Sequence, residues 1–157
     1  MNTSGSDFQT DLQMNPTISN QLVSDLYRLD KTEMKYSWSA KDWLNHLKIN
    51  QNCLIIHKTV LLNAFTLYQV SIHDEVLHLQ KIVVARTARR QGIARKMLES
   101  LVEIARSTAK KSIFLEVEQT NFAAVQFYQN NGFVTLRIAS KFYSDGSNAI
   151  IMERLVK

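Results

Sequence analysis

Residues 82 to 98, IVVARTARRQGIARKML, impose the tightest constraint on the fold, because an apolar strand-like run passes within a few residues into a helical repeat. The passage runs through a basic cluster, with Arg86, Arg89, Arg90, Arg95 and Lys96 around Gly92, the one glycine between Gly5 and Gly132. On the helical side Ile93, Met97, Leu98, Leu101, Val102 and Ala105 recur as a single apolar stripe, which has to be buried against a flat apolar surface. A helix docked on a sheet meets that demand, with the strand that feeds the helix lying in the sheet.

The rest of the chain supplies such a sheet. NCLIIHK (52–58), VLLNAFTLYQVSI (60–72) and EVLHLQKIVVA (75–85) read as successive strands with a tight turn near Lys58 and Thr59. SIFLEVE (112–118) is a fourth strand, and GFVTLRIASKFY with NAIIMERLV forms a terminal hairpin across SDGS. Leu22, Val23, Leu26 and Leu29 mark a first helix, and the SAKD of Ser39 to Asp42 opens a second with a capping-box-like start. NFAAVQFYQNN (121–131) is the last helix, with Asn121 as N-cap and Gly132 as the left-handed residue that ends it. The order is ααβββαβαββ, an α+β (α/β layered) class with a mixed, mostly antiparallel sheet and helices on both faces.

At 157 residues, 45% of them hydrophobic, one globular domain is expected over 18–157. Residues 1–17, which include the only proline, Pro16, are expected to be a flexible leader. No run approaches the length of a membrane span and the N-terminus is polar and acidic, so a cytoplasmic protein without membrane contact is expected. The lone Cys53 excludes a disulfide within the chain, and its apolar neighbours make it a small core residue. His46, His57, His73 and His78 have no metal-ligand spacing, so no metal and no catalytic histidine is expected. The net charge of +5 suits an acidic cofactor or a nucleic acid, but no nucleic-acid-binding signature accompanies it.

A strand running into a helix through Arg89-Arg90-Gln91-Gly92-Ile93-Ala94 leaves the first helical N–H groups pointing outward, where the helix dipole favours an anion. Gly92 and the small Ala94 would let phosphate oxygens approach the backbone, with Arg89, Arg90, Arg95 and Lys96 as countercharge. A solvated basic helix start would carry the same residues, so the loop alone does not decide between them. Neither the Walker loop nor the dinucleotide fingerprint is present.

The spacing does match [Q/R]xxGx[G/A], read as Arg89-x-x-Gly92-x-Ala94 directly after Ile82-Val83-Val84, and FLEVEQTNFAAVQFYQNNGF follows it. In these two blocks the chain resembles the GNAT acetyltransferases from about Ile18 to the C-terminus. Within that family the resemblance runs to the bacterial ribosomal-protein-alanine N-acetyltransferases, through Glu116 in LEV, Tyr128 in FYQNNGF and the hairpin FYSDGSNAIIM. The resemblance implies that acetyl-CoA is held by the backbone of Ile82, Val83 and Val84, by Arg89, Arg90, Gln91, Gly92, Ile93, Ala94 and Arg95, and by Asn121. It implies Glu116 as base, Tyr128 as acid, and Tyr36, Trp38 and Tyr143 as residues that contact a protein or peptide N-terminus, such as that of a ribosomal protein. A monomer or weak dimer is expected. Three positions depart from the branch pattern: Ser37 replaces a proline, Phe142 a tyrosine and Asn148 an aspartate.

The residues support the same chemistry on their own terms. Alternation in IFLEVE puts Ile113, Leu115 and Val117 on one face and Phe114, Glu116 and Glu118 on the other, making Glu116 a carboxylate in apolar surroundings, where desolvation raises basicity. Asn121, Ala124 and Tyr128 share one helix face, and Trp43, Phe65, Phe127 and Phe133 are assigned to the core. Other acceptors remain open, either a lysine side chain or a small amine, as does a non-catalytic acyl-CoA-binding module. A peptide acceptor calls for an open groove between residues 30–38 and 142–148, and a small amine for a closed acidic pocket.

Overall fold

The computed structural model describes residues 12–157. Seven strands and four helices follow one another as β1 (Leu12–Met14), α1 (Asn20–Glu33), α2 (Ala40–Leu47), β2 (Asn52–Lys58), β3 (Leu62–Val70), β4 (Val76–Val84), α3 (Ile93–Ser107), β5 (Ser112–Glu118), α4 (Phe122–Asn130), β6 (Val134–Ala139) and β7 (Ala149–Leu155). The one strand that the sequence pattern misses is β1, which pairs antiparallel with β2 from Leu12 opposite His57 to Met14 opposite Ile55. Residues 12–14, expected within a flexible leader, thus belong to the sheet, and residues 1–11 lie outside the described residues. Three residues are too few to show a period of two, and only pairing with β2 makes them a strand.

The sheet runs β1-β2-β3-β4-β5-β7-β6, with β4 and β5 as the parallel pair and antiparallel neighbours elsewhere. Parallel pairing follows from α3, which carries the chain from the end of β4 back to the start of β5. Helices cover both faces. The α3 stripe Met97, Leu98, Leu101 and Ala105 is buried with Leu77, Ile113 and Leu115 on one side, while Leu26 and Leu29 of α1 and Trp43 of α2 are buried with Phe65, Leu67 and Val83 on the other. Ser19 caps α1 through the Leu22 N–H, and Ser39 with Asp42 closes a full capping box on α2.

Two irregularities of β4 shape the site. Tyr68 pairs with Leu79 and Leu67 with Lys81, so Gln80 is an extra residue that reverses the alternation of side chains beyond it. Leu77 and Leu79 thus face α3, whereas Lys81 and Val83 face α1. In addition, β4 pairs with β5 only from Val76 to His78, opposite Ser112 to Phe114, and the two strands then part. Beyond His78 the β5-side backbone edge of β4 has no strand partner among the described residues.

Candidate active site

The gap between β4 and β5 is a cleft of about 260 Å³, lined by Leu79 to Ile82, Leu115 to Glu118, Asn121, Ala124 and Tyr128, and roofed by Glu33 to Tyr36 with Tyr143. Glu116 and Tyr128, expected as base and acid, therefore line one cavity. Asn121 caps α4 by accepting from the Ala124 N–H at 3.2 Å, and Asn121, Ala124 and Tyr128 all face the cleft as their spacing predicts. Tyr128 is buried between strand and helix, its ring edge-on to Phe133, and burial, with Tyr143 nearby, pushes its hydroxyl pKa above that of a free phenol.

Ile113, Leu115 and Val117 are buried on the α3 face, so Glu116 projects to the other face as the alternation requires. Its surroundings differ from the apolar ones expected. Oε2 of Glu116 lies 2.7 Å from Nε2 of His78, and the His78 ring stacks on Phe114 at 4.3 Å between centroids, with 7° between the ring planes. No histidine was expected at the site, because His78 and Glu116 are far apart in sequence and only the parallel register of β4 and β5 joins them. The available signal was the alternation of β4, which puts His78 on the face opposite to Leu77 and Leu79.

The roof joins two loops. Tyr36 stacks flat on Tyr143 at 4.1 Å, and the Tyr36 hydroxyl reaches Asp145 at 3.0 Å and Glu118 at 3.2 Å. Lys35 Nζ pairs with Glu118 at 2.6 Å and with Asp145 at 3.3 Å. Lys35 is held protonated well above the usual lysine range, chiefly by its bond to Glu118, and Glu118 is correspondingly lowered by Lys35. Asp145 is lowered first by the Ser147 N–H, while burial and the neighbouring Glu116 push Tyr143 up to about 12. Residues 30–38 and 142–148 thus touch across the expected open groove. Phe142 is half exposed and edge-on to Tyr143. Asn148 accepts from the Lys141 N–H and donates to Gln119 Oε1, so it uses both a donor and an acceptor where an ionised aspartate would only accept.

Trp38 does not line the cleft. It stacks on His46 at 3.9 Å, leans on Trp43 and carries Lys81 Nζ 4.4 Å from its ring centre. Lys81 is the floor bolt of the roof loop. Its ammonium, buried, bonds both oxygens of Asp30 at 2.9 and 3.0 Å and the carbonyl of Tyr36 at 3.0 Å, while Asp30 Oδ2 accepts from the Trp38 N–H and from Trp43 Nε1. Burial lowers the Lys81 pKa, opposed by Asp30.

At the other end of the cleft, Val84, Ala88, Arg89, Arg90, Gly92 to Arg95 and Phe127 line a depression of about 250 Å³ at the start of α3. Phe127, assigned to the core, is only partly buried and forms one wall of this depression. Gly92 sits at the N-cap with φ +76°, and Arg90 is also left-handed at φ +61°. A Cβ on Gly92 would meet nothing within 4 Å, so the backbone turn, and not crowding within the protein, is what selects glycine. No side chain caps α3, which leaves its first N–H groups directed at the depression. Countercharge is more restrained than the sequence suggests. Arg89 is tied to Glu33 at 2.7 Å and to the Val84 carbonyl at 3.2 Å, and Arg95 pairs with Glu99. Among the described residues no group of three or more His, Cys, Asp or Glu side chains could hold a metal ion, and no helix is long and apolar enough to cross a membrane.

A sheet split between β4 and β5, with an uncapped helix start at one end of the split and a carboxylate and a phenol along it, is the architecture of an acyl-CoA-dependent acyltransferase. The chain belongs to the acetyltransferase (GNAT) family, which matches residues 23–133, and it is an N-acetyltransferase by that membership. It is 28% identical over 142 residues to the [ribosomal protein bS18]-alanine N-acetyltransferase of Escherichia coli K12, across 87% of this chain and 95% of that protein. The crystal structure of the ribosomal-protein-S18-alanine N-acetyltransferase from Escherichia coli superposes with a TM-score of 0.79 at 23% identity, covering 93% of this chain and 94% of that one. A GNAT family acetyltransferase from Elizabethkingia anophelis, with acetyl-CoA bound, gives a TM-score of 0.72 at 16% identity, over 94% and 99% of the two chains.

Proposed function

We propose that this enzyme acetylates the N-terminal α-amino group of a protein, such as a ribosomal protein, with Glu116 as base and Tyr128 as acid. The observation that carries this reading is that both side chains line one cleft at the point where β4 and β5 part. Acetyl-CoA supplies the acetyl group as a thioester. The open N–H groups at the start of α3, flanked by Arg90 and Gly92, suit its phosphates, and the unpaired edge of β4 around Ile82, Val83 and Val84 suits the strand-like arm that follows them, with Asn121 opposite.

An α-ammonium has a pKa of about 8, so at neutral pH the base need collect only one proton from a group already partly dissociated. Glu116 takes that proton on the oxygen His78 leaves free. Tyr128, kept protonated by burial, gives its proton to the departing sulfur. Tyr36 and Tyr143 would flank the entering peptide. Their roof is closed by exposed ionic contacts of Lys35, which are weak in water and open readily to a chain. The relation to an alanine N-acetyltransferase over most of both chains supports a protein N-terminus as acceptor.

A second reading, a small polyamine-like acceptor, is favoured by that same closed roof and by the acidic wall of Glu33, Glu116 and Glu118. Acetyl-CoA consumption measured over peptides of varied first residue, beside a panel of small amines, separates the two. Turnover confined to peptides supports the first reading and turnover confined to small amines refutes it. Glu116→Gln is expected to lower turnover by about 10²-fold while leaving acetyl-CoA affinity intact, and wild-type turnover would remove Glu116 as base.

A further inference from the structure

We propose that His78 is the positioning residue of the active site, holding Glu116 in the orientation that receives the acceptor's proton; this rests on the reading of Glu116 as base. The contact between His78 Nε2 and Glu116 Oε2, at 2.7 Å, is the only hydrogen bond to the Glu116 carboxylate among the described residues. So short a contact needs a proton between the two atoms. An ionised carboxylate only accepts, so the imidazole donates from Nε2. Oε2 is thereby occupied, and Oε1 is the oxygen left for the amine.

The ring that donates is itself fixed. His78 stacks nearly parallel on Phe114, its register partner across the parallel strands, and Phe114 lies on the same face of β5 as Glu116. His78 is also the last residue of β4 to pair with β5, so it stands at the apex of the split, behind the carboxylate and outside the lining of the cleft. The side chains of His78 and Glu116 are 26% and 20% exposed, sheltered enough for the bond to restrict a glutamate that would otherwise sample several rotamers. A base displaced by about 1 Å can lose on the order of 10²-fold in rate, so orientation from behind bears directly on turnover. No proton leaves through His78 in this scheme: its Nε2–H stays on the ring throughout.

Three variants and a double variant test the proposal. His78→Phe keeps an aromatic ring to stack on Phe114 but removes the donor; it is expected to lower kcat by about ten- to a hundredfold with KM for both substrates within about twofold of wild type. His78→Gln restores an N–H donor of similar reach and is expected to recover most of that loss. In a Glu116→Gln background, His78→Phe should cost nothing further, because there is no base left to position. Thermal midpoints are recorded for each protein, so that a folding defect is separated from a kinetic one. The proposal is overturned by wild-type kcat in His78→Phe, by equal impairment in His78→Gln, or by an undiminished His78→Phe effect on top of Glu116→Gln. If Glu116→Gln itself turns over normally, it is the base reading that fails, and nitrogen NMR of the His78 ring then still reports whether Nε2 carries the proton and bonds Glu116.

Discussion

Removing the ammonium of Lys81 while keeping its stem, as in Lys81→Met, leaves Asp30 fully buried with hydrogen-bond donors but no cation. Breaking one side of a buried pair in this way costs about 3–5 kcal/mol, because the abandoned charge keeps its desolvation penalty. Against a typical total of about 5–15 kcal/mol this is a large share, and for a chain of this size it corresponds to a fall of about 6–20 °C in Tm. The double variant Asp30→Asn with Lys81→Met removes both charges yet keeps a carbonyl oxygen for the Trp38 N–H and Trp43 Nε1. Its loss is expected to be smaller than the sum of the two single losses by about 0.5–3 kcal/mol, the range of coupling between contacting residues. Urea unfolding with a common m-value measures both quantities. Because Lys81 also bonds the Tyr36 carbonyl, the single variant should raise KM for the acceptor as the roof loop loosens. A loss below about 1 kcal/mol in Lys81→Met, or a double variant whose loss is the sum of the two singles, would refute the account of a coupled buried pair.

Gly92→Val forces a β-branched residue into φ +76°, so a loss of about 1–2 kcal/mol in stability is expected together with weaker acetyl-CoA binding; calorimetry showing unchanged affinity in the folded variant would count against the phosphate site. Tyr128→Phe keeps the buried ring and removes only the hydroxyl; turnover should fall by about one to three orders of magnitude with cofactor affinity unchanged, whereas normal turnover would make Tyr128 a packing residue alone. The roof should respond to acid. Glu118 and Asp145 titrate lower in the folded chain than their ordinary 4.5 and 3.8, so their stabilisation is complete above those values and is lost as pH falls below them. Lys35→Met should therefore remove the share of the acid limb of a stability–pH curve that Glu118 contributes, leaving the share that the Ser147 N–H gives Asp145. Parallel curves for variant and wild type would dismiss the Lys35–Glu118 bridge.

The local sequence determined most of the elements and which side chains share the faces that line the candidate site. Periodicity alone marked α3 and β5, with β5 running from Ser112 to Glu118 as expected, and the caps Ser39, Asn121 and Gly132 lie where short-range hydrogen bonding and backbone freedom put them. Gly92 was legible for the same reason, since a left-handed turn into a helix is a property of a few consecutive residues. Glu116, Asn121 and Tyr128 were legible because alternation along one strand and the 3.6-residue repeat of the next helix set which face each side chain shares.

What depends on residues far apart in the chain was decided by tertiary structure. Strand β1 exists because β2 offers an unpaired edge, a fact absent from Leu12–Met14 themselves. The bulge at Gln80 turns Lys81 toward α1, where it meets Asp30, and neither residue announces the other in sequence. Trp38, expected in the acceptor site, is taken into the packing around His46, Trp43 and Lys81 because those surfaces bury its ring. His78 reaches Glu116 only through the parallel register of β4 with β5, since hydrogen-bond geometry between strands sets which side chains become neighbours, and sequence distance carries no record of it.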